Sequence, residues 1–228
     1  MKLMEIYNRL LKHFGEQHWW PADTRFEVIV GAILTQNSNW KNVEKAIANL
    51  RDNGLLNPER LHLVSEEKLK ELIRPAGYYN AKSRKLKEFM NFLFENYKDL
   101  NEFLSLPAEQ LRNKLLSIWG IGDETADSIV LYAADKPSFV IDAYTKRIFS
   151  RLGITKEKRY GELKKFFEEN LPRSVEIYKE FHALIVELGK NYCRSKPLCS
   201  ECPLRDFCEW KKIEFDDSYD SYMNTGNS

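Results

Sequence analysis

Residues 115–133 read LLSIWGIGDETADSIVLYA (Leu115–Ala133), and the fold follows from how that stretch turns. Leu115, Leu116 and Ile118 close one apolar helix. Gly120-Ile121-Gly122 then permit a tight turn and a close backbone approach by another molecule. Asp123, Glu124, Thr125 and Ala126 open a second helix, with acids where the positive end of the helix dipole favours them. The N–H groups of the turn and of the first helical residues have no intrahelical partner, so such a hairpin can cradle a phosphate. Taken alone, two glycines one residue apart are better read as an ordinary helix–helix turn.

Outward from the hairpin the pattern is helical nearly everywhere. Leu3, Ile6, Leu10 and Phe14 recur at helical spacing, as do Val43, Ala46, Ile47 and Leu50 in a segment that begins near Asn42 and ends at Gly54. Ser65 is placed to cap a helix whose first turn carries Glu66 and Glu67, and Pro75–Gly77 breaks it. Amphipathic helices are expected over Ala81–Tyr97, from Pro107 at a first helical position, over Gly161–Asn170 and over Val175–Lys190. Two stretches have strand-like composition. FEVIVGAIL (Phe26–Leu34) lacks a hairpin partner and is read as a buried helix. SFVI (Ser138–Ile141) is short and is read as an extended link or a helix start.

Composition narrows the function. The chain has 228 residues, 43% hydrophobic and 30% charged, enough to bury a sizeable core. No apolar run reaches the length that crosses a bilayer, and the opening MKLMEIYNRLLKHF offers no signal-peptide core. A cytoplasmic monomer with no membrane partner is expected, nucleoid-associated if prokaryotic. The net charge is only +1, which excludes a binder held by bulk charge alone. Residues 213–228 carry −4 and read as a disordered acidic tail; with it set aside, the rest is +5, compatible with a nucleic-acid partner. Singly, the lysines and arginines of Lys82-Ser83-Arg84-Lys85, Lys146-Arg147 and Lys190–Lys196 are expected to face solvent, although Lys190, Arg194 and Lys196 could meet phosphates. His13, His18, His62 and His182 show no ligand spacing and read as structural or surface residues.

All four cysteines fall within sixteen residues, as Cys193-x5-Cys199-x2-Cys202-x5-Cys208. A disulfide scaffold would spread them to join distant segments. Four thiolates with one C-x2-C suit either zinc or an iron–sulfur cluster.

The hairpin, the stretch that follows it and the cysteines together resemble the helix-hairpin-helix DNA glycosylases of the endonuclease III superfamily. Their Leu-x-Gly-x-Gly-x-x-Thr-Ala is matched by Ile118, Gly120, Gly122, Thr125 and Ala126. Their Val-Asp-x-x-x-x-Arg becomes Val140-Ile141-Asp142 followed by Arg147. The resemblance implies a two-lobed all-α fold: a six-helix lobe over 23–136 with the hairpin, and a second lobe of 1–22 plus 137–212 with the catalytic Asp and a [4Fe–4S] loop. The family loop is one residue longer in its first gap. A cleft between the lobes is expected to take a base extruded from double-stranded DNA, with a monovalent cation at the hairpin.

On this resemblance Asp142 is the catalytic carboxylate; by itself it reads as a cap for the helix from 143. Bifunctional relatives carry a Schiff-base lysine where this chain has Glu124, and a carboxylate forms no imine, so base removal without strand cleavage is expected. WWP (Trp19, Trp20, Pro21), LTQN (Leu34–Asn37) and NAKSRKL (Asn80–Leu86) resemble the 3-methyladenine DNA glycosylase III branch. That implies Trp19, Trp20, Pro21 and Trp40 around the base and Gln36 in the gap left in the duplex, with Gly120, Gly122, Thr125 and Arg147 as DNA-contacting residues. Alkylated purines carry positive ring charge, which indole faces attract. The rival expectations are an endonuclease III-like enzyme for oxidised, deaminated or mismatched bases, and a non-catalytic iron–sulfur DNA-binding protein.

Overall fold

The structure is a computed structural model that describes residues 3–157 and 159–210. The acidic tail lies outside the described residues. Among them every regular element is helical, and the chain forms two compact units.

The contiguous unit is Trp20–Ser138. At its centre is α1 (Arg25–Leu34), in which every residue from Phe26 to Leu34 is buried. A helix apolar all round belongs in a core, which is why a strand-like composition folds this way. Thr24 caps it by accepting from Glu27 N–H at 3.1 Å. Around it stand α2 (Trp40–Asp52), α3 (Pro58–Leu63), α4 (Glu66–Ile73), α5 (Tyr79–Asn96), α6 (Leu100–Ser105), α7 (Ala108–Ser117) and α8 (Asp123–Ser128), which runs on into a π-helical turn, Ile129–Ala133. Helices α3 and α6 have six residues each, too few for a periodic signal, and raise the count in this unit from the six expected to eight. Ser65 caps α4 as expected. Pro107 takes the N-cap position of α7 rather than its first turn.

Lys82, read as solvent-facing, is 2% exposed, and Ser83 beside it is buried. The Lys82 ammonium donates to the Ala76 carbonyl at 2.8 Å, at the end of the one-turn helix Arg74–Ala76. Burial, and then the charge of Lys85, push its pKa down to about 8.

The second unit combines the described residues of Met1–Trp19 and Phe139–Ser228. It contains α9 (Leu3–Phe14), α10 (Ala143–Arg151), α11 (Tyr160–Asn170) and α12 (Val175–Asn191); α9 lies first in the chain. Helix α12 packs against both α9 and α10. Leu3, Ile6 and Leu10 form the buried stripe of α9. The core is aromatic: Phe139 stacks on Phe167 at 4.4 Å, and Phe149, Tyr178 and Phe181 surround them edge-on. Residues 138–141 are buried and join no helix or strand, and Phe139 N–H donates to Glu168 at 2.9 Å.

Candidate functional site

In the unit Trp20–Ser138 the hairpin is fixed from beneath. Gly120 has φ +85°, a left-handed conformation that favours glycine, and a Cβ there would meet the Lys85 side chain at 2.5 Å. Gly122 is extended, caps α8 and has open space where a Cβ would sit. The buried Asp127 carboxylate accepts from Arg112 Nε at 2.8 Å and from the Ser138 hydroxyl at 2.6 Å, while Arg112 Nη2 reaches Asp123 at 2.6 Å. Burial works against the Arg112 charge, but Asp127 and Asp123 outweigh it and hold the guanidinium firmly protonated. Glu124 is exposed in the first turn of α8.

Gln36, two residues past the end of α1, is tied to this hairpin. Its Nε2 donates to the Gly120 carbonyl at 3.2 Å and to the Thr125 hydroxyl at 2.9 Å, and its Oε1 accepts from Lys85. Three residues that sequence spacing placed apart thus form one network. Lys85, expected from its charge run to face solvent, joins this network. Nearby, Arg84 lies 3.9 Å over the ring of Trp119, which is 46% exposed beside Gly120.

The aromatic residues fall into two groups. Trp20 meets Trp40 edge-on at 5.4 Å and Tyr132 at 5.3 Å, against Gly31 of α1, with Pro21 exposed next to it. Tyr132, in the π-helical turn, was not a candidate from sequence. Trp19 belongs to the other unit. There it stacks flat on His182 of α12, 5.5 Å between centroids and 13° between planes, with the Lys190 ammonium 5.6 Å from its ring.

His182 also meets Asp142. Asp142 is the N-cap of α10, and its Oδ1 accepts both the Thr145 N–H at 2.7 Å and the Thr145 hydroxyl at 2.8 Å. Its Oδ2 lies 3.6 Å from His182 Nε2. Asp142 is 9% exposed and His182 4%. Burial alone would push the carboxyl up, but His182 and the two Thr145 donors more than offset it and hold Asp142 below the ordinary carboxylate range. One side chain therefore both caps α10 and turns its second oxygen toward His182. Sequence reading missed His182 because forty residues separate it from Asp142 and no motif joins them.

The four cysteines line one small pocket with Arg151, Arg205 and Trp210. Among the described residues no three His, Cys, Asp or Glu side chains converge closely enough to hold a single metal ion. Four thiols lining one pocket are the donor set that an iron–sulfur cluster takes. Burial, opposed by the Leu204 N–H and reinforced by the other thiols, pushes the Cys202 thiol up to about 11; a bound cluster would favour the thiolate instead. Arg151 braces the loop, with Nη1 3.4 Å from Cys193 Sγ and 2.6 Å from the Arg194 carbonyl. Arg147 does the same from α10, donating to the Cys193 carbonyl at 2.8 Å and to Gly189 at 3.4 Å.

Known proteins resemble this arrangement over most of the chain. A candidate DNA repair glycosylase of Methanocaldococcus jannaschii is 56% identical, over 90% of this chain and 95% of its own. The endonuclease III of Sulfolobus acidocaldarius is 33% identical, over 92% and 93%. Among solved structures, the 3-methyladenine DNA glycosylase of H. pylori bound to 1,N6-ethenoadenine superposes with a TM-score of 0.73 at 29% identity, over 83% of this chain and 98% of that one. The family model of the HhH-GPD superfamily base excision DNA repair proteins matches residues 30–173, and that of the iron–sulfur binding domain of endonuclease III matches 194–208. Hairpin, carboxylate and cysteine loop all lie within or against these matches, so the chain belongs to the HhH-GPD superfamily of base excision DNA repair proteins and carries an iron–sulfur binding loop.

Proposed function

We propose that the protein is a monofunctional DNA glycosylase that hydrolyses the N-glycosidic bond of an alkylated purine and leaves an abasic site. The observation that carries the reading is the state of Asp142: buried, ionised, anchored through Oδ1 and with Oδ2 uncommitted to the cap. As the base departs with the bonding electrons, positive charge grows on the sugar, and a fixed carboxylate in a low-dielectric setting stabilises it. The same carboxylate polarises the water that bonds to the sugar carbon. The hairpin N–H groups at Gly120–Gly122 would hold a phosphate, and Gln36 would enter the gap left by the flipped nucleotide. Trp19, Trp20, Pro21 and Trp40 would receive the base; a cationic purine needs little acid catalysis and gains about 1 kcal/mol or more from an indole face. Glu124, standing where lyase relatives carry an amine, supports hydrolysis without strand cleavage. The cysteine loop would hold a [4Fe–4S] cluster through Cys193, Cys199, Cys202 and Cys208; bound there it supplies structure and positive loop placement rather than a reaction step.

A second reading, an endonuclease III-like enzyme for oxidised, deaminated or mismatched pyrimidines, is favoured by the Sulfolobus relative and by the cluster loop itself. A panel of duplexes, each with one lesion, separates them. Release of 3-methyladenine or 7-methylguanine with no strand nicking is expected. Release confined to thymine glycol or uracil would establish the second reading, and binding without release from any duplex would leave a non-catalytic DNA-binding protein. Borohydride trapping of a stable enzyme–DNA adduct would refute the monofunctional assignment.

A further inference from the structure

His182 is buried, lies flat on Trp19 and turns one ring nitrogen toward the catalytic carboxylate. Oδ1 of Asp142 is already held by two donors from Thr145, so the orientation of the carboxylate plane about that anchor is set by whatever meets Oδ2. The group facing Oδ2 is His182 Nε2, at 3.6 Å. That is longer than a hydrogen bond, and contacts of this kind commonly tighten when substrate is bound. The stacked indole fixes the imidazole plane, leaving the ring little freedom to turn away.

We propose that His182 is a positioning residue for the glycosylase reaction: with its ring clamped on Trp19, it aims Oδ2 of Asp142 at the reacting sugar and links occupancy of the Trp19 face to the carboxylate. This rests on Asp142 being the catalytic carboxylate. A ring that only packs against Trp19 would be replaceable by any flat ring; a ring that positions Oδ2 needs its nitrogen.

Two substitutions separate these roles. His182→Phe keeps a ring for Trp19 and removes the nitrogen; His182→Gln keeps a side-chain donor and removes the ring. Single-turnover base release is measured on the lesion duplex that the wild-type protein processes fastest in the panel above, with duplex affinity and thermal melting followed in parallel. His182→Phe is expected to slow release by about 10- to 100-fold, the range for outer groups that orient a functional side chain, with affinity within about 2-fold. His182→Gln is expected to recover at least part of that loss. Equal release by the two variants, or faster release by His182→Phe, overturns the inference whatever their stability. Asp142→Asn, run beside them, guards the premise: if it releases base at the wild-type rate, or if no lesion is released at all, the catalytic reading fails and this inference goes with it.

Discussion

At Asp142 the two carboxylate oxygens have different surroundings, and the difference gives separable consequences. Asparagine is a good N-cap, so Asp142→Asn leaves α10 capped and takes away only the charge. Base release is expected to fall by about 100- to 1,000-fold or more, as when a group aimed at developing charge is lost, while duplex affinity stays near the wild-type value. Filter binding beside a release assay checks both halves. Because the folded carboxyl sits below its ordinary value, its contribution to stability is complete above the unfolded value of about 4 and is lost as pH falls through the folded one. Wild-type protein should therefore lose melting temperature more steeply than Asp142→Asn below about pH 4; parallel slopes would contradict the burial of an ionised group. Lys82 works in the opposite direction. Its pKa is depressed to about 8, so the penalty for its charge is full below that value and fades as pH rises toward the unfolded value of about 10.4. Melting temperature should climb between about pH 8 and 10 in the wild type, and Lys82→Met should remove that climb even though it strands the Ala76 carbonyl.

Among the elements, the hairpin shows how a short helix of six residues is made rigid. Helix α8 cannot stand by propensity alone. The Arg112 fork ties it to α7 through Asp127 and Asp123. Arg112→Met leaves the Asp127 carboxylate buried without its cation, which costs about 3–5 kcal/mol in comparable pairs; urea unfolding should show most of that loss, and Arg112→Lys should recover only a fraction because one ammonium cannot serve both acids. Elements of this kind also mark what a reader of the bare sequence could and could not see. The Gly120–Gly122 turn, the Thr125-Ala126 pair and the buried Phe26–Leu34 helix were legible, since glycine spacing and unbroken hydrophobicity leave few alternatives. Helices α3 and α6 were not, being under two turns long. The π-helical turn that places Tyr132 beside Trp20 has no residue signature, and Lys82 looked like part of a solvated charge run because nothing in the sequence announces a buried carbonyl six residues earlier. The pairing of His182 with Asp142 depends on α12 crossing α10, which is tertiary information.

Across the whole molecule, the four cysteines and the discontinuous unit go together. The loop from Cys193 to Cys208 begins just past α12, and its braces, Arg147 and Arg151, stand on α10. Purified protein is expected to be brown, with absorbance near roughly 400 nm from sulfur-to-iron charge transfer. Oxidative loss of that colour should lower the melting temperature, since holding these thiols close without a cation is unfavourable. Colourless protein with one zinc per chain would assign the loop to zinc instead.

The order of the chain has a consequence for biosynthesis. Helix α9, Leu3–Phe14, is translated before everything it packs on, and its partner α12 ends at Asn191. Residues 20–138 form a complete unit and can condense as they leave the ribosome, whereas Leu3, Ile6 and Leu10 must wait. At about 5–20 residues per second that interval is roughly ten to thirty seconds. During it a greasy stripe hangs from the nascent chain, open to chaperones.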